Sequence, residues 1–291
     1  MRVSLSADAN MAWFIALAGY AAMYVPTFWW AANSIWQTDE QGHGPIILAV
    51  LAWLFWTQRH AIVEAPTRSL PVLGWPVFVL GLLVYVAGRA FGISILELGS
   101  QVLVVAGVLL LMKGTPALRA AWFPVLYLVF MIPLPGVLVD AVTGPLKQWI
   151  SGIVVEVLHA VGYPIARSGV TISIGQYQML VADACSGLHS MFSLSALGTL
   201  FMYITARKSV LHNVIMLASI LPIAFAANII RVIILVLVTY HLGDEAGQGF
   251  LHGAAGMALM LAALAMFFAL DGALSRFIRE RSAHDGASAQ G

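Results

Sequence analysis

The sequence predicts an all-α integral membrane protein with about eight transmembrane helices, and three observations lead there. Of its 291 residues, 61% are apolar and only 9% are charged, with a mean hydropathy of +0.91. Soluble domains carry roughly a quarter charged residues, so this chain cannot cover a water-facing surface and lipid has to solvate most of it. Apolar stretches of spanning length recur along the chain, and Lys and Arg fall unevenly between the connections that would alternate across the bilayer.

A spanning helix needs roughly 20 mostly apolar residues, because lipid cannot hydrogen-bond a free backbone group. Candidate spans lie at 10–32, 44–58, 71–88, 93–112, 117–135, 186–205, 209–240 and 252–272. The first follows a polar start with Asp8 just ahead of it, and it is too long and too aromatic for a cleaved signal peptide. The second is short and calls for snorkelling or local thinning. The seventh is too long for a straight span; Pro222 and Asn228 allow a kink or a division into two. The whole of 1–291 reads as one polytopic membrane domain, with 282–291 a polar, disordered tail and no fused soluble domain.

Charge sets the orientation. With the amino terminus in the cytoplasm, the inner side holds Arg2, Arg59, Arg68, Lys113, Arg119, Arg207, Lys208, Arg276, Arg279 and Arg281. The outer side holds Arg89, Lys147, Arg167 and Arg231. Ten against four favours both termini inside.

The largest outer segment is then Gly136 to Ala184. Within it, 137–161 has a helical period interrupted by Asp140, Lys147, Gln148 and Glu156, the pattern of an interfacial or re-entrant helix. Residues 169–181 partly alternate, and Gly175-Gln176 reads as a turn between two short strands, a hairpin just ahead of the sixth candidate span.

That hairpin leads into Asp183-Ala184-Cys185-Ser186-Gly187-Leu188-His189. Cys185 is the one cysteine, so no intramolecular disulfide is available. It stands at a helix start near the outer interface, where free N–H groups and the helix dipole favour a thiolate. The thiolate is the nucleophilic form; the alternative is a structural cysteine packed among small residues. Asn228-Ile-Ile-Arg231 lies inside the seventh apolar stretch. A charge there costs a few kcal/mol on insertion scales (about 2.5–3.5), so Arg231 is either paired and functional or snorkelling to the outer headgroups. In the functional reading it stabilises a thiolate or an oxyanion.

His252 opens the last span on the outer side, at the predicted level of Cys185, and suits a proton carrier. His189, four residues after Cys185 on the same helix face, competes for that role. His43, in Gly42-His43-Gly44-Pro45, is a further outer candidate, and Asp183 either orients a histidine or caps the following helix. The histidine spacings do not make a metal-ligand pair, so no metal or cofactor is expected, and no nucleic-acid partner.

In combination these motifs resemble the exosortases: Cys185-Ser186-Gly187 at the start of one span, Asn228-Ile-Ile-Arg231 within the next, His252 opening the last, and the early Gly42-His43-Gly44-Pro45. The resemblance covers roughly 10–272 and rests on the order, spacing and common membrane side of short motifs. It implies a membrane cysteine protease, or transpeptidase, at the outer face of a bacterial inner membrane. Its substrates would be secreted proteins ending in a Pro-Glu-Pro motif, a transmembrane helix and a basic cluster (PEP-CTERM proteins). By this resemblance Cys185 is the nucleophile, Arg231 and His252 complete the site, and an acceptor nucleophile or water releases the product. Without the carboxy-terminal soluble domain of larger members, the chain is similar to a shorter subtype such as exosortase B. Two other classes compete. A transporter or lipid-linked glycan flippase would suit many spans and a buried arginine, but no inverted repeat is visible and the charged candidates gather on one side. A non-catalytic assembly factor for exopolysaccharide export would have no need of Cys185.

Overall fold

The structure, a computed structural model, describes residues 7–37, 42–133, 136–180, 187–205, 209–253 and 255–288. Packing divides the chain into two units, Met1–Pro135 and Gly136–Gly291.

In the first unit, α1 (Ala7–Ala32) is followed by a 3-10 turn, Ile35–Gln37, then α2 (Gly44–Val63), α3 (Pro71–Phe91) and α4 (Ser94–Met112). Pro45 in the first turn of α2 needs no N–H there and has the right φ already. α2 runs five residues past the end expected from sequence, to Val63, with the Arg59 guanidinium 4.1 Å above the Trp56 ring. That stacking keeps a charged end group beside an apolar helix, and at 20 residues α2 is long enough to cross a membrane. α3 and α4 form a close hairpin turned by Gly92, which sits at φ 65 as the helix cap. Small residues let their backbones approach: a Cβ on Gly81 would lie 2.9 Å from the Val104 backbone, and one on Gly107 would lie 2.7 Å from the Cα of Phe78.

α1 presents Phe14, Ile15 and Leu17 outward and is tied to the hairpin by polar groups instead. Tyr20 donates to Gln101 Oε1 at 2.8 Å, Tyr24 and Ser100 share a hydroxyl hydrogen bond of 2.6 Å, and Thr27 donates to Glu97 Oε1 at 2.5 Å. Arg89 reaches the same Glu97 oxygen at 2.8 Å. Between helices in lipid, apolar burial drives nothing, so such bonds supply association that leucines would not.

The stretch 117–135, expected to be a fifth span, is broken. α5 (Thr115–Ala120) ends at Ala121, α6 (Trp122–Tyr127) follows, and Leu128–Met131 is 3-10. Pro124 cannot donate back into the preceding turn, so the chain restarts its helix at Trp122. Among the described residues, six helices are long and apolar enough to cross a membrane; Trp122–Met131 and Phe192–Thr205 are apolar but shorter.

The second unit opens with α7 (Gly136–Ala160) and a three-stranded antiparallel sheet, β1 (Ile165–Ser168), β2 (Thr171–Ile174) and β3 (Tyr177–Leu180), in the order β1-β2-β3. Ser168 pairs with Thr171 and Ile174 with Tyr177, so both turns have two residues. Each turn begins with a glycine at positive φ, Gly169 at 62 and Gly175 at 57, as primed hairpin turns require. The sequence reading had two strands here, not three. β1 hides only Ile165 from solvent, so it carries no alternation to read. It is pinned to α7 by Arg167, whose guanidinium donates to the Gln148 carbonyl at 2.9 Å.

Among the described residues the unit continues with α8 (Gly187–Thr205), α9 (Val210–Leu242), α10 (Asp244–Gly253) and α11 (Ala255–Ser288). α9 is a single helix through Pro222, started by Ser209, whose hydroxyl accepts from the His212 N–H at 3.3 Å. Its 33 residues make about 50 Å of helix, longer than the roughly 30 Å hydrocarbon core. α11 is described as far as Ser288.

The close α3–α4 contact gives a direct test. Gly81→Leu drives a side chain into the α4 backbone and should cost about 1–3 kcal/mol, the usual range for overpacking, read as a lowered thermal midpoint in detergent micelles. Gly19→Leu, with nothing within 4 Å of its Cβ position, should leave that midpoint unchanged.

Candidate active site

α9 lies in two apolar cores at once. Toward its carboxyl end, Val232, Leu235 and Val236 are buried with Ile150, Val154 and Leu158 of α7 and with Ile165, Ile172 and Ile174 of the sheet. Toward its amino end, Met216, Ile220, Ile223, Ala224 and Ala227 are buried with Leu194 and Phe201 of α8 and Leu259, Ala263 and Phe267 of α11. Asn228 and Arg231 fall where the two cores meet, 0% and 7% exposed. An arginine reaching for headgroups would be exposed along its length, so snorkelling does not describe Arg231; protein covers it.

Arg231 is about 17 Å of helix from Leu242, and the surrounding helices can be levelled against it. α8 and α9 are joined by a short connection and run in opposite directions. A Cβ on Gly198 of α8 would lie 3.0 Å from Ile220 of α9, so those positions are level. Eleven residues separate Gly198 from Gly187 and also Ile220 from Arg231, about 17 Å in each helix. The first residue of α8 is therefore level with Arg231.

α11 is levelled by a buried hydrogen bond that the sequence reading did not single out. His212 Nε2 and Asp271 Oδ1 are 2.8 Å apart and both residues are buried. Counting inward from that pair sets Met216 level with Phe267, Ile220 with Ala263 and Ala224 with Leu259, and all six are buried in the one core. The same count brings Ala255, the first residue of α11, level with Asn228. α10 folds back on the end of α9, where Gly247 leaves room for Thr239 and a Cβ would collide with the Thr239 hydroxyl.

The sequence-derived candidates are distributed as follows. Cys185 and Asp183 lie outside the described residues; α8 begins two residues beyond the cysteine. His189 is in the first turn of α8 and His252 in the last turn of α10, with their side chains outside the described set. His252 lies in α10, three residues ahead of the first residue of α11 at Ala255, and residue 254 between the two helices is outside the described residues. Counting from Gly247 opposite Thr239, the backbone at His252 is within about one helical turn of the level of Arg231. His43 stands in the other unit, immediately before α2, with its carbonyl accepting from the Ile47 N–H at 3.0 Å.

Tyr163, Tyr240 and His241 also form a cluster that sequence reasoning missed. The Tyr163 hydroxyl is 3.1 Å from His241 Nε2, and the two tyrosine rings meet edge-on at 5.4 Å. It ties the sheet to the last turn of α9. The ring types were visible in the sequence; the 78-residue separation of Tyr163 and His241 carried no local signal.

Fold and buried site together define a multi-pass helical membrane protein with a covered cationic centre. The family model described as transmembrane exosortase matches residues 35–269, and the chain belongs to that family. Comparison with curated proteins and with solved structures produced no match.

The Gly247–Thr239 contact is the hinge on which the placement of α10 rests. Gly247→Val should lift α10 from α9 and raise amide hydrogen exchange across 244–253 by at least about tenfold, because local opening follows lost packing. Exchange in 214–225 should not change.

Proposed function

We propose that the protein is a membrane-embedded cysteine protease or transpeptidase that cleaves the carboxy-terminal sorting signal of secreted PEP-CTERM proteins. The observation that carries the reading is the buried Arg231 level with the start of α8, in a chain whose family match includes both. Cys185 stands just ahead of that helix start, where free N–H groups lower the cost of a thiolate. In this reading the Arg231 guanidinium lowers it again.

In this mechanism the Cys185 thiolate attacks the carbonyl carbon of the scissile peptide near the Pro-Glu-Pro motif. The carbonyl π electrons move to oxygen, and Arg231 stabilises the oxyanion. Collapse of the tetrahedral intermediate breaks the C–N bond, and His252 protonates the departing amine. The product is a thioester on Cys185. An acceptor amine or water attacks it, His252 takes the proton, and the thiolate is regenerated. The substrate's own transmembrane helix keeps its junction in the plane of the membrane, which raises the local concentration at the site.

The reading places the site at the outer face of a bacterial inner membrane with both termini cytoplasmic. Its support within the second unit is charge. His212 and Asp271 are level, so Arg207 and Lys208 precede α9 at the same end as Arg276 and Arg279 in α11. Basic residues gather on the cytoplasmic side, leaving Arg231 in the outer half of α9.

Co-expression with a tagged Pro-Glu-Pro tail substrate tests this. Cys185→Ala should abolish processing, Arg231→Ala should slow it about 100-fold or more, and His252→Ala should slow it about 100-fold or more. His189→Ala and His43→Ala should stay within about threefold of wild type, well below the loss of a proton-transfer group. Processing by a membrane-inserted Cys185→Ala protein would rule out the thiol mechanism and favour a transporter or an assembly factor.

A further inference from the structure

The His212–Asp271 pair is the feature that the proposed chemistry leaves unused. Both residues are buried, at 3% and 6% exposure, and they join the first turn of α9 to the last third of the apolar part of α11. Ionisable groups are rare inside helix bundles in lipid, and they are kept where they do something apolar residues cannot.

What apolar residues cannot do here is define register. Counting by turns from the pair sets Met216 level with Phe267, Ile220 with Ala263 and Ala224 with Leu259, and all six are buried in one apolar core. On the α11 side the flanking residues are Ala262, Leu264, Met266 and Leu270, again apolar. Sliding one helix past the other by a turn, about 5.4 Å, exchanges one such pairing for a similar one. In lipid no hydrophobic penalty opposes the slip. The polar pair does oppose it, because the one-turn slip that sets Ala224 level with Ala263 separates Asp271 from His212 and sets the aspartate level with Met216. A single polar pair that fixes register in an otherwise degenerate helix interface is the best-attested use of such groups.

The consequence reaches the candidate site. Nineteen residues separate His212 from Arg231, about 28 Å of helix, and the same number separates His252 from Asp271 along the chain. Pro222 interrupts the hydrogen bonding of α9 between the pair and Arg231, yet the contacts on both sides of it obey one count. We infer that His212 and Asp271 are positioning residues: their buried hydrogen bond locks α11 to α9 in the one register that brings the start of α11 at Ala255, and with it His252 just ahead, to the level of Arg231. The inference rests on the proposed function for its catalytic consequence, and on the geometry alone for the lock.

Two measurements on the full-length protein test it. The first reads register without activity. In a Cys185→Ser background, which removes the one native cysteine, the pair Ala224→Cys/Leu259→Cys should cross-link on oxidation, and the one-turn-shifted pair Ala224→Cys/Ala263→Cys should not. Adding Asp271→Ala should move at least a third of the cross-linking to the shifted pair. An unchanged pattern overturns the lock. The second reads the site. Asp271→Ala should lower kcat for tail processing at least tenfold per folded molecule, with KM within threefold of wild type. Exchange of the two residues, His212→Asp with Asp271→His, should restore kcat to within threefold and restore the original cross-link. Should the single variant not accumulate, the exchanged variant decides: wild-type register and turnover support the lock, and their loss overturns it. If wild type itself does not process the tail, the functional reading fails, and the cross-linking pattern still decides the lock.

Discussion

A guanidinium can be held inside an apolar bundle only if protein surrounds it on every side, and one long helix arranges that here. α9 carries two buried faces in succession, the first against α8 and α11 and the second against α7 and the sheet. Arg231 sits at the changeover, preceded by Ala227 and followed by Val232, both fully buried. Every neighbour of the site is positioned by contact with α9: α8 through Gly198 and Leu194, α11 through the Asp271 pair, α10 through Gly247 against Thr239. The sheet contributes as the lid of the second core, held by Arg167 on α7 and by Tyr163 on the end of α9.

The first unit solves a different problem by the same physics. α1 gives up little of its surface to protein, and the hydrogen bonds from Tyr20, Tyr24 and Thr27 hold it to α4. In water such bonds would be exchanged for bonds to solvent at small net gain. In lipid that exchange is absent, so a few hydroxyls set a contact that a row of leucines would leave loose. Glu97 is the centre of that arrangement, accepting from Thr27 and Arg89 at once, and its place in the first turn of α4 suits the positive end of the helix dipole.

Much of the architecture was legible from local pattern. The apolar stretches at 10–32, 44–58, 71–88, 93–112, 209–240 and 252–272 all correspond to long apolar helices, because span length is a property of a stretch by itself. Where reading failed, a neighbour or a single proline was responsible. Pro124 divided 117–135, which composition alone rated as one span. β1 was missed because three of its four residues face outward and its hold on the fold is the Arg167 side chain. For the site, Arg231 stood out in the sequence as a charge in an apolar stretch, but its choice between headgroups and protein depended on what packed around it. His212 and Asp271 were equally visible as polar interruptions, and nothing local linked residues 59 positions apart.

The sequence by itself therefore determined that this is a multi-pass membrane protein, where most of its long helices run, and which motifs place it beside the exosortases. Those properties are sums over short windows: hydropathy, helical period, charge count, and residues close along the chain. Only the tertiary structure decided that Arg231 is enclosed, that the start of α8 is level with it, and that His212 meets Asp271. These depend on the register of helices against one another, and register is set by a few contacts between distant residues. In a lipid-facing bundle of near-interchangeable apolar faces, the sequence of any one helix does not contain that information.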